Sequence, residues 1–383
     1  MVLLALRKKL QTHFFDTINQ VSRCDWQRLN NSSSPFMRYE FFQALENSGS
    51  VGQDSGWYPQ HLAVLNSDSS QSLNSLMPMY LKSHSWGEYV FDWAWAEAYQ
   101  RVQLPYYPKL VATLPFTPTP SDKLLSSNVS YQDVFLFLIE HCQQQPISSW
   151  HILFCPELDI AHLDDVYQRN TVQFLWFNRQ YKSFEHYLES FTARKRKNTR
   201  KERLSITKQG ISIRRVSVKD ISKSELDFFY LTYQLTYMRR GHTPHLTYDF
   251  FKEIFTTMAD NVLLFIANRQ QKDIACALFF YDDTQLFGRY WGSTEQCDFL
   301  HFELCYYQGI EFCIENKLLS FNPGTQGEHK IQRGFEPRLT HSYHWIKHPQ
   351  FKPAIKAFCQ QEQQQMQHYQ LQCVQKLPFK HQE

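Results

Sequence analysis

VLLFIANRQQKDIACALFFYDDTQLFGRYWG, residues 262–292, reads as three strands in succession. Its apolar stretches are too short for helices, and the polar turns RQQKD (269–273) and DDTQ (282–285) separate them at hairpin spacing. Upstream, ISIRRVSV (211–218) alternates as a strand, and SELDFFYLTYQLTYM (224–238) and TYDFFKEIFTTM (247–258) have helical spacing. Downstream come a helix, HFELCYYQGIEFCIENK (301–317), and a short strand, LLSFN (318–322). The order is strand, two helices, three antiparallel strands, helix, strand, which predicts an α/β protein of the α+β type.

The same order runs more faintly through the first half. FFDTI (14–18) reads as a strand and PFMRYEFFQALE (35–46) as a helix. HLAVLN (61–66), SLMPMYLK (75–82) and EYVFD (88–92) read as three strands, WAWAEAYQRV (93–102) as a helix and KLVATLPF (109–116) as a strand. Each series sets an aspartate before its central helix, Asp92 and Asp298, and a glutamate five residues on, Glu97 and Glu303. SWHILFCPE (149–157) and VQFLWFNR (172–179) read as strands leading from one half into the other. A tandem duplication is therefore expected, each unit a mixed, mostly antiparallel sheet flanked by helices. The expected domains are 1–178, 179–358 with the site, and a tail, 359–383; ten of the last 24 residues are glutamine.

The 383 residues are enough for two such cores, and 43% hydrophobic with 20% charged content excludes a disordered chain. A net charge of +3 is too mild for a general nucleic-acid binder, and no DNA partner is expected. MVLLALRKKL (1–10) carries its charges after its apolar run, the wrong order for a secretory signal, and no run is long enough to span a membrane. A cytoplasmic protein is expected. Nine cysteines without a CxxC pair give neither a disulfide framework nor a zinc knuckle. Cys297, His301 and Cys305 could share a helix face, but no fourth ligand stands out, and no metal is expected.

NPGTQGEHKIQRGFEP (322–337) crowds chargeable side chains beside its glycines, which a mere connector does not need. Gly324 and Gly327 let backbone N–H groups approach a carbonyl or phosphate oxygen, and Lys330 and Arg333 add positive charge. On a helical wheel Glu303 is the one acid of its helix turned to the apolar face. It is either a general base with a raised pKa or half of a buried ion pair with Arg289. Glu328 and His329 are alternative bases. The run TARKRKNTRKER (192–203) holds seven cations and one acid and reads as a solvated face or a phosphate-binding one.

Several stretches carry a family resemblance: PFMRYEFFQALENSGSV (35–51), GEYVFDWAWAEAYQRVQLPYYPKLVATLPFTP (87–118), KRKNTRKER (195–203), GRYWGS (288–293), LHFELCYYQGIEFCI (300–314) and the loop 322–337. Together they resemble a FemAB-like bacterial family of N-acyltransferases of the GNAT superfamily, described as peptidoglycan biosynthesis or recognition proteins. The resemblance implies tandem GNAT-like units and transfer of an acyl or aminoacyl group from an activated donor to an amine, a small molecule or peptide. It also leaves open a binder of peptide or peptidoglycan precursor without turnover. It implies a donor where the fourth and fifth strands splay apart, and a lysine ahead of a Gly-Phe pair that stabilises the acyl-transfer intermediate. Lys330 is the closest counterpart, four residues before Gly334, with Arg333 nearer to that pair. The GNAT pyrophosphate loop has two imperfect matches, RYWGST from Arg289 through Gly292 and QLFGRY from Gln285, both without the final small residue. That departure favours aminoacyl-tRNA over acyl-coenzyme A as donor, with Arg196, Lys197 and Arg200 as phosphate contacts; no tightly bound cofactor is expected.

Overall fold

The computed structural model describes residues 10–67, 72–325 and 327–380. Most of the N-terminal run read for a targeting signal lies outside them. The strands are β1 (Leu10–Phe15), β2 (Trp57–Pro59), β3 (His61–Asn66), β4 (Leu73–Met77), β5 (Tyr80–Lys82), β6 (Lys109–Ala112), β7 (Leu125–Ser126), β8 (Ser149–Cys155), β9 (Tyr167–Phe177), β10 (Ile211–Ser217), β11 (Val262–Arg269), β12 (Lys272–Tyr281), β13 (Gln285–Ser293), β14 (Ser320–Asn322) and β15 (Glu336–Ile346). The helices are α1 (Arg23–Leu29), α2 (Tyr39–Asn47), α3 (Trp93–Arg101), α4 (Tyr131–Gln144), α5 (Phe184–Glu189), α6 (Ala193–Lys208), α7 (Lys223–Met238), α8 (Tyr248–Thr257), α9 (the successive turns Leu300–Phe302, Glu303–Tyr307 and Gln308–Glu315) and α10 (Lys352–Val374). The class is α+β, with mixed, mostly antiparallel sheet flanked by helices.

The chain divides into two compact units, Met1–Thr171 with Thr340–Met366, and Val172–Leu339 with Gln367–Glu383. The division falls inside β9, β15 and α10 rather than in a linker. The strands therefore do not sort into one self-contained sheet for each half of the sequence, and Thr340–Met366 returns to the first unit.

In the first unit β1, β3, β4 and β7 form an antiparallel series, and β15, β8, β6, β5 and β2 a second one in which only β6 and β8 run parallel. SLMPMYLK is not one strand but two, β4 and β5, broken at Pro78, which has no N–H to give a ladder. EYVFD is not a strand either. It is a loop whose two acids turn inward onto the buried Lys109. Lys109 Nζ donates to Glu88 Oε2 (2.8 Å), to Ser85 Oγ (2.8 Å) and to Asp92 Oδ2, which also accepts from Tyr106 Oη (2.6 Å). Burial lifts the Glu88 carboxyl to about 7. Asp92 precedes α3 as expected, but Glu97 is exposed and pairs with Arg101, while Asp298 is exposed and Glu303 buried. The two acid pairs share a spacing and not an environment.

In the second unit the strand order is β10, β11, β12, β13, β14, β9, antiparallel except for the parallel pair β13–β14. Alternation along the strands gives this sheet two covered faces. Phe265, Ala277 and Phe279 share a core with Leu304, Ile310 and Cys313 of α9. On the other face Thr232 Oγ1 of α7 meets Cys276 Sγ at 3.0 Å, and Thr236 Oγ1 donates to Trp291 O at 2.7 Å.

Candidate active site

β13 and β14 pair through only three positions, Gln285 with Ser320, Leu286 with Phe321 and Phe287 with Asn322. Beyond them β13 continues to Ser293, while the chain leaves β14 at Pro323. The strands separate where β13 itself is irregular: Leu278 pairs with Tyr290 and Phe279 with Gly288, so Arg289 is the extra residue of a bulge. Its Nη1 donates to Gly288 O at 2.8 Å, and its guanidinium lies 5.6 Å from the Phe287 ring. Gly288 and Gly324 approach closely here. A Cβ on Gly324 would stand 3.4 Å from Gly288 O, so the glycine-rich loop passes directly over the bulge.

That loop is tied down from within. Asn322 Oδ1 accepts from Gly324 N (2.9 Å), and Asn322 Nδ2 donates to Gln173 (3.3 Å). The turn Glu328–Arg333 buries Lys330, whose Nζ donates to Gly324 O at 2.7 Å and Thr325 O at 3.0 Å. Lys330 makes no ion pair among the described residues. Burial, and then the charge of Arg289, lower its ammonium pKa to about 7.

Arg333, the other cation beside the Gly-Phe pair, is differently placed. Its Nη2 donates to both oxygens of Glu202 at 2.9 Å, its Nη1 donates to His329 O at 2.7 Å, and its guanidinium lies 3.5 Å from the Phe302 ring. It is held in a structural network with α6.

Glu303 is 3% exposed, as its place on the wheel predicts, but its partner is Arg203 and not Arg289. Arg203 reaches it at 2.9–3.2 Å and also holds Glu311, and Gln308 Nε2 donates to Glu303 at 2.8 Å. The turn Glu303–Tyr307 is a π-turn, closed by Gln308 N donating to Glu303 O. Such wide turns recur at functional sites. This one shifts the register of α9, which a uniform wheel cannot represent. It directs Glu303 to Arg203, Tyr307 to Glu202, and Tyr306 to two histidines.

Those histidines form a chain that sequence reading missed. His329 Nε2 lies 2.8 Å from Tyr306 Oη, which lies 3.2 Å from His301 Nε2, and His301 Nδ1 lies 3.4 Å from Cys305 Sγ. Tyr306 is buried, and burial together with the charges of His329, Lys330, Arg333 and Arg240 lowers His301 to about 4. His329 is half exposed and is lowered by burial and by Lys330 and Arg333. Tyr306 carried no signal in so aromatic a helix. Cys297 stands apart, accepting from Arg269 at 3.8 Å, and among the described residues no group of three His, Cys, Asp or Glu could hold a metal.

Two further positions fall outside this cluster. A Cβ on Gly292 would stand 2.1 Å from Thr232 O, so the glycine there serves the packing of β13 on α7. The cationic run is the helix α6, with Glu202 and Arg203 turned to the site. Arg200 pairs with the exposed Glu185, whereas Arg194, Lys195, Arg196, Lys197 and Lys201 have no ion-pair partner among the described residues.

The FemAB-like family profile, described as peptidoglycan biosynthesis/recognition, matches residues 17–381. The chain belongs to the FemAB-like family. This FemAB-like protein resembles the crystal structure of FemX at a TM-score of 0.50 and 10% identity, over 90% of this chain and 100% of that one. It resembles a conserved protein of unknown function from Bacteroides thetaiotaomicron equally, at 0.50 and 10%, over 88% and 100%. Likeness at such identity is a likeness of fold. A sequence comparison with curated proteins returns no match. Among the described residues no helix is long and apolar enough to cross a membrane.

Proposed function

We propose that the second unit is an N-acyltransferase that moves an acyl or aminoacyl group from an activated donor to an amine, and that the two units are tandem GNAT-like copies. One observation carries the reading. Lys330 is a buried amine without an acid partner among the described residues, fixed under a glycine loop at the opening between β13 and β14. Buried lysines of both kinds occur in the first unit, Lys109 matched by carboxylates and Lys123 resting on the Ser121 and Phe154 carbonyls, so what distinguishes Lys330 is its position at that opening beside the glycine loop.

Acyl transfer needs a donor held in place and hydrogen bonds aimed at the carbonyl oxygen as it becomes an oxyanion. Lys330 supplies the charge for that oxygen and the Gly327 N–H a dipole, while the Gly324 N–H is held by Asn322 and fixes the loop. Arg289 lies at the bulge beside them, where a donor phosphate would be drawn. Arg333 and Glu303, engaged by Glu202 and Arg203, hold α6 and α9 against the loop. Arg196, Lys197 and Arg200 lie six, five and two residues before Glu202 on α6, within about 9 Å along the axis. That spacing suits a polyanionic donor such as aminoacyl-tRNA better than one with few phosphates, such as acyl-coenzyme A. The family description supports an acceptor from cell-wall peptide metabolism.

The test is to incubate the purified protein with charged tRNAs or acyl-coenzyme A species and a panel of peptide amines, following amide products by mass spectrometry. Donor consumption that depends on acceptor is expected. Ligand binding without any product would favour the binder instead.

A further inference from the structure

We infer that His329 is the general base of this site and that Tyr306 and His301 are its positioning residues. The inference rests on the acyltransferase reading.

His329 has its two ring nitrogens in different surroundings. Nε2 is anchored on the buried Tyr306 hydroxyl, while Nδ1 has no partner among the described residues. Only glycine at 327 leaves room for the ring, since a Cβ there would stand 2.3 Å from His329 Cε1 and 3.0 Å from Nδ1, and the φ of +101° there disfavours any other residue. The loop glycine thus sets the ring's place, and the tyrosine its rotation.

The chain beyond Tyr306 fixes the proton. When the attacking amine forms its bond to the donor carbonyl carbon, the nitrogen becomes positive and must lose a proton. We place that proton on His329 Nδ1. The tetrahedral carbon then expels the leaving oxygen or sulfur with its electron pair, and the leaving group takes a proton from solvent. The imidazolium formed on His329 has an N–H at Nε2 that needs an acceptor. Tyr306 Oη accepts it and donates its own hydrogen to His301 Nε2; His301 in turn donates from Nδ1 to Cys305 Sγ. Every donor finds an acceptor only if His301 is neutral, and its burial keeps it so at neutral pH. A base oriented by a second group, itself held by a third, is the general arrangement for directed proton transfer. Burial, and then the charges of Lys330 and Arg333, lower the His329 pKa and so favour the neutral ring before the step.

Nitrogen-15 NMR of histidine-labelled protein reads the tautomer directly and needs no substrate. Wild type should show His329 protonated at Nε2, and Tyr306→Phe, which removes both hydrogen bonds with little change of shape, should show mixed tautomers. In turnover, His329→Gln should lower kcat about 100-fold or more with KM little changed, and Tyr306→Phe and His301→Gln should each cost part of that. A His329 protonated mainly at Nδ1 in wild type, or a tautomer indifferent to Tyr306→Phe, overturns the assignment. So does full activity in His329→Gln. The expected tautomers in a protein that transfers no acyl group overturn the reading on which the catalytic role rests.

Discussion

At the scale of single residues, Lys330 and His329 set opposite requirements on pH. The lysine must be an ammonium to meet an oxyanion, and with its pKa lowered to about 7 that charge is lost as pH rises through 7. The histidine must be neutral to take a proton, and its pKa is displaced downward. Around them stand Arg289, Arg333, Tyr306 and His301, while Glu328 is drawn off by Tyr369 and Lys376. The pH–rate profile should therefore be a narrow bell, its acid limb belonging to His329 and its alkaline limb to Lys330. Lys330→Arg, which stays charged, should extend activity on the alkaline side, even if its maximum is lower. An alkaline limb unmoved in that variant would remove Lys330 from the profile. Lys330 and His329 stood out in the sequence because charges beside glycines in a short loop are unusual, and both belong to the site proposed above. It misassigned the partner of Glu303, because Arg203 lies 100 residues away and a π-turn intervenes.

At the scale of elements, β13 and α6 make separable predictions. Gly292 touches the Thr232 carbonyl of α7, so Gly292→Ala forces strand and helix apart and should destabilise the protein by about 3 kcal/mol. Donor affinity, measured well below the transition, should be unchanged. A stable Gly292→Ala protein with weakened donor binding would return that glycine to the donor site. On α6, the triple replacement of Arg196, Lys197 and Arg200 by alanine should weaken tRNA binding and flatten its dependence on salt. Each lost phosphate contact should reduce the slope of log K against log salt by about 0.7–0.9. Titration at several salt concentrations checks this, and an unchanged slope would make the run a solvated face. The strands of 262–292 were legible because their apolar runs and polar turns are local. EYVFD was not: tyrosine, valine and phenylalanine favour strands, but Lys109, 17 residues beyond Asp92, draws Glu88 and Asp92 into a buried loop.

At the scale of the whole molecule, Lys109 and Lys330 are buried lysines in different settings. Lys109 in the first unit has two carboxylates and is raised in pKa by them, against the opposing effect of burial; Lys330 in the second donates to carbonyls and is lowered by burial, as Lys123 of the first unit is. Lys109→Met should leave two buried acids uncompensated and cost about 3–5 kcal/mol, read as a fall in the denaturation midpoint. Lys330→Met removes an unmatched charge, and its midpoint at pH 7 should fall little or not at all. Equal losses in the two variants would make Lys330 another structural lysine. The mixed, mostly antiparallel sheet with flanking helices was legible in the sequence, but not the return of Thr340–Met366 to the first unit, because pairing between strands far apart in the chain leaves no local pattern.

The most direct measurement is single-turnover donor consumption by wild type and Lys330→Ala at pH 6.5, with an acceptor amine present and thermal unfolding followed in parallel. The account predicts that Lys330→Ala keeps its fold and its donor affinity and loses about 100-fold to 1,000-fold in the rate of acyl transfer. A folded Lys330→Ala protein that transfers its acyl group at the wild-type rate would contradict it.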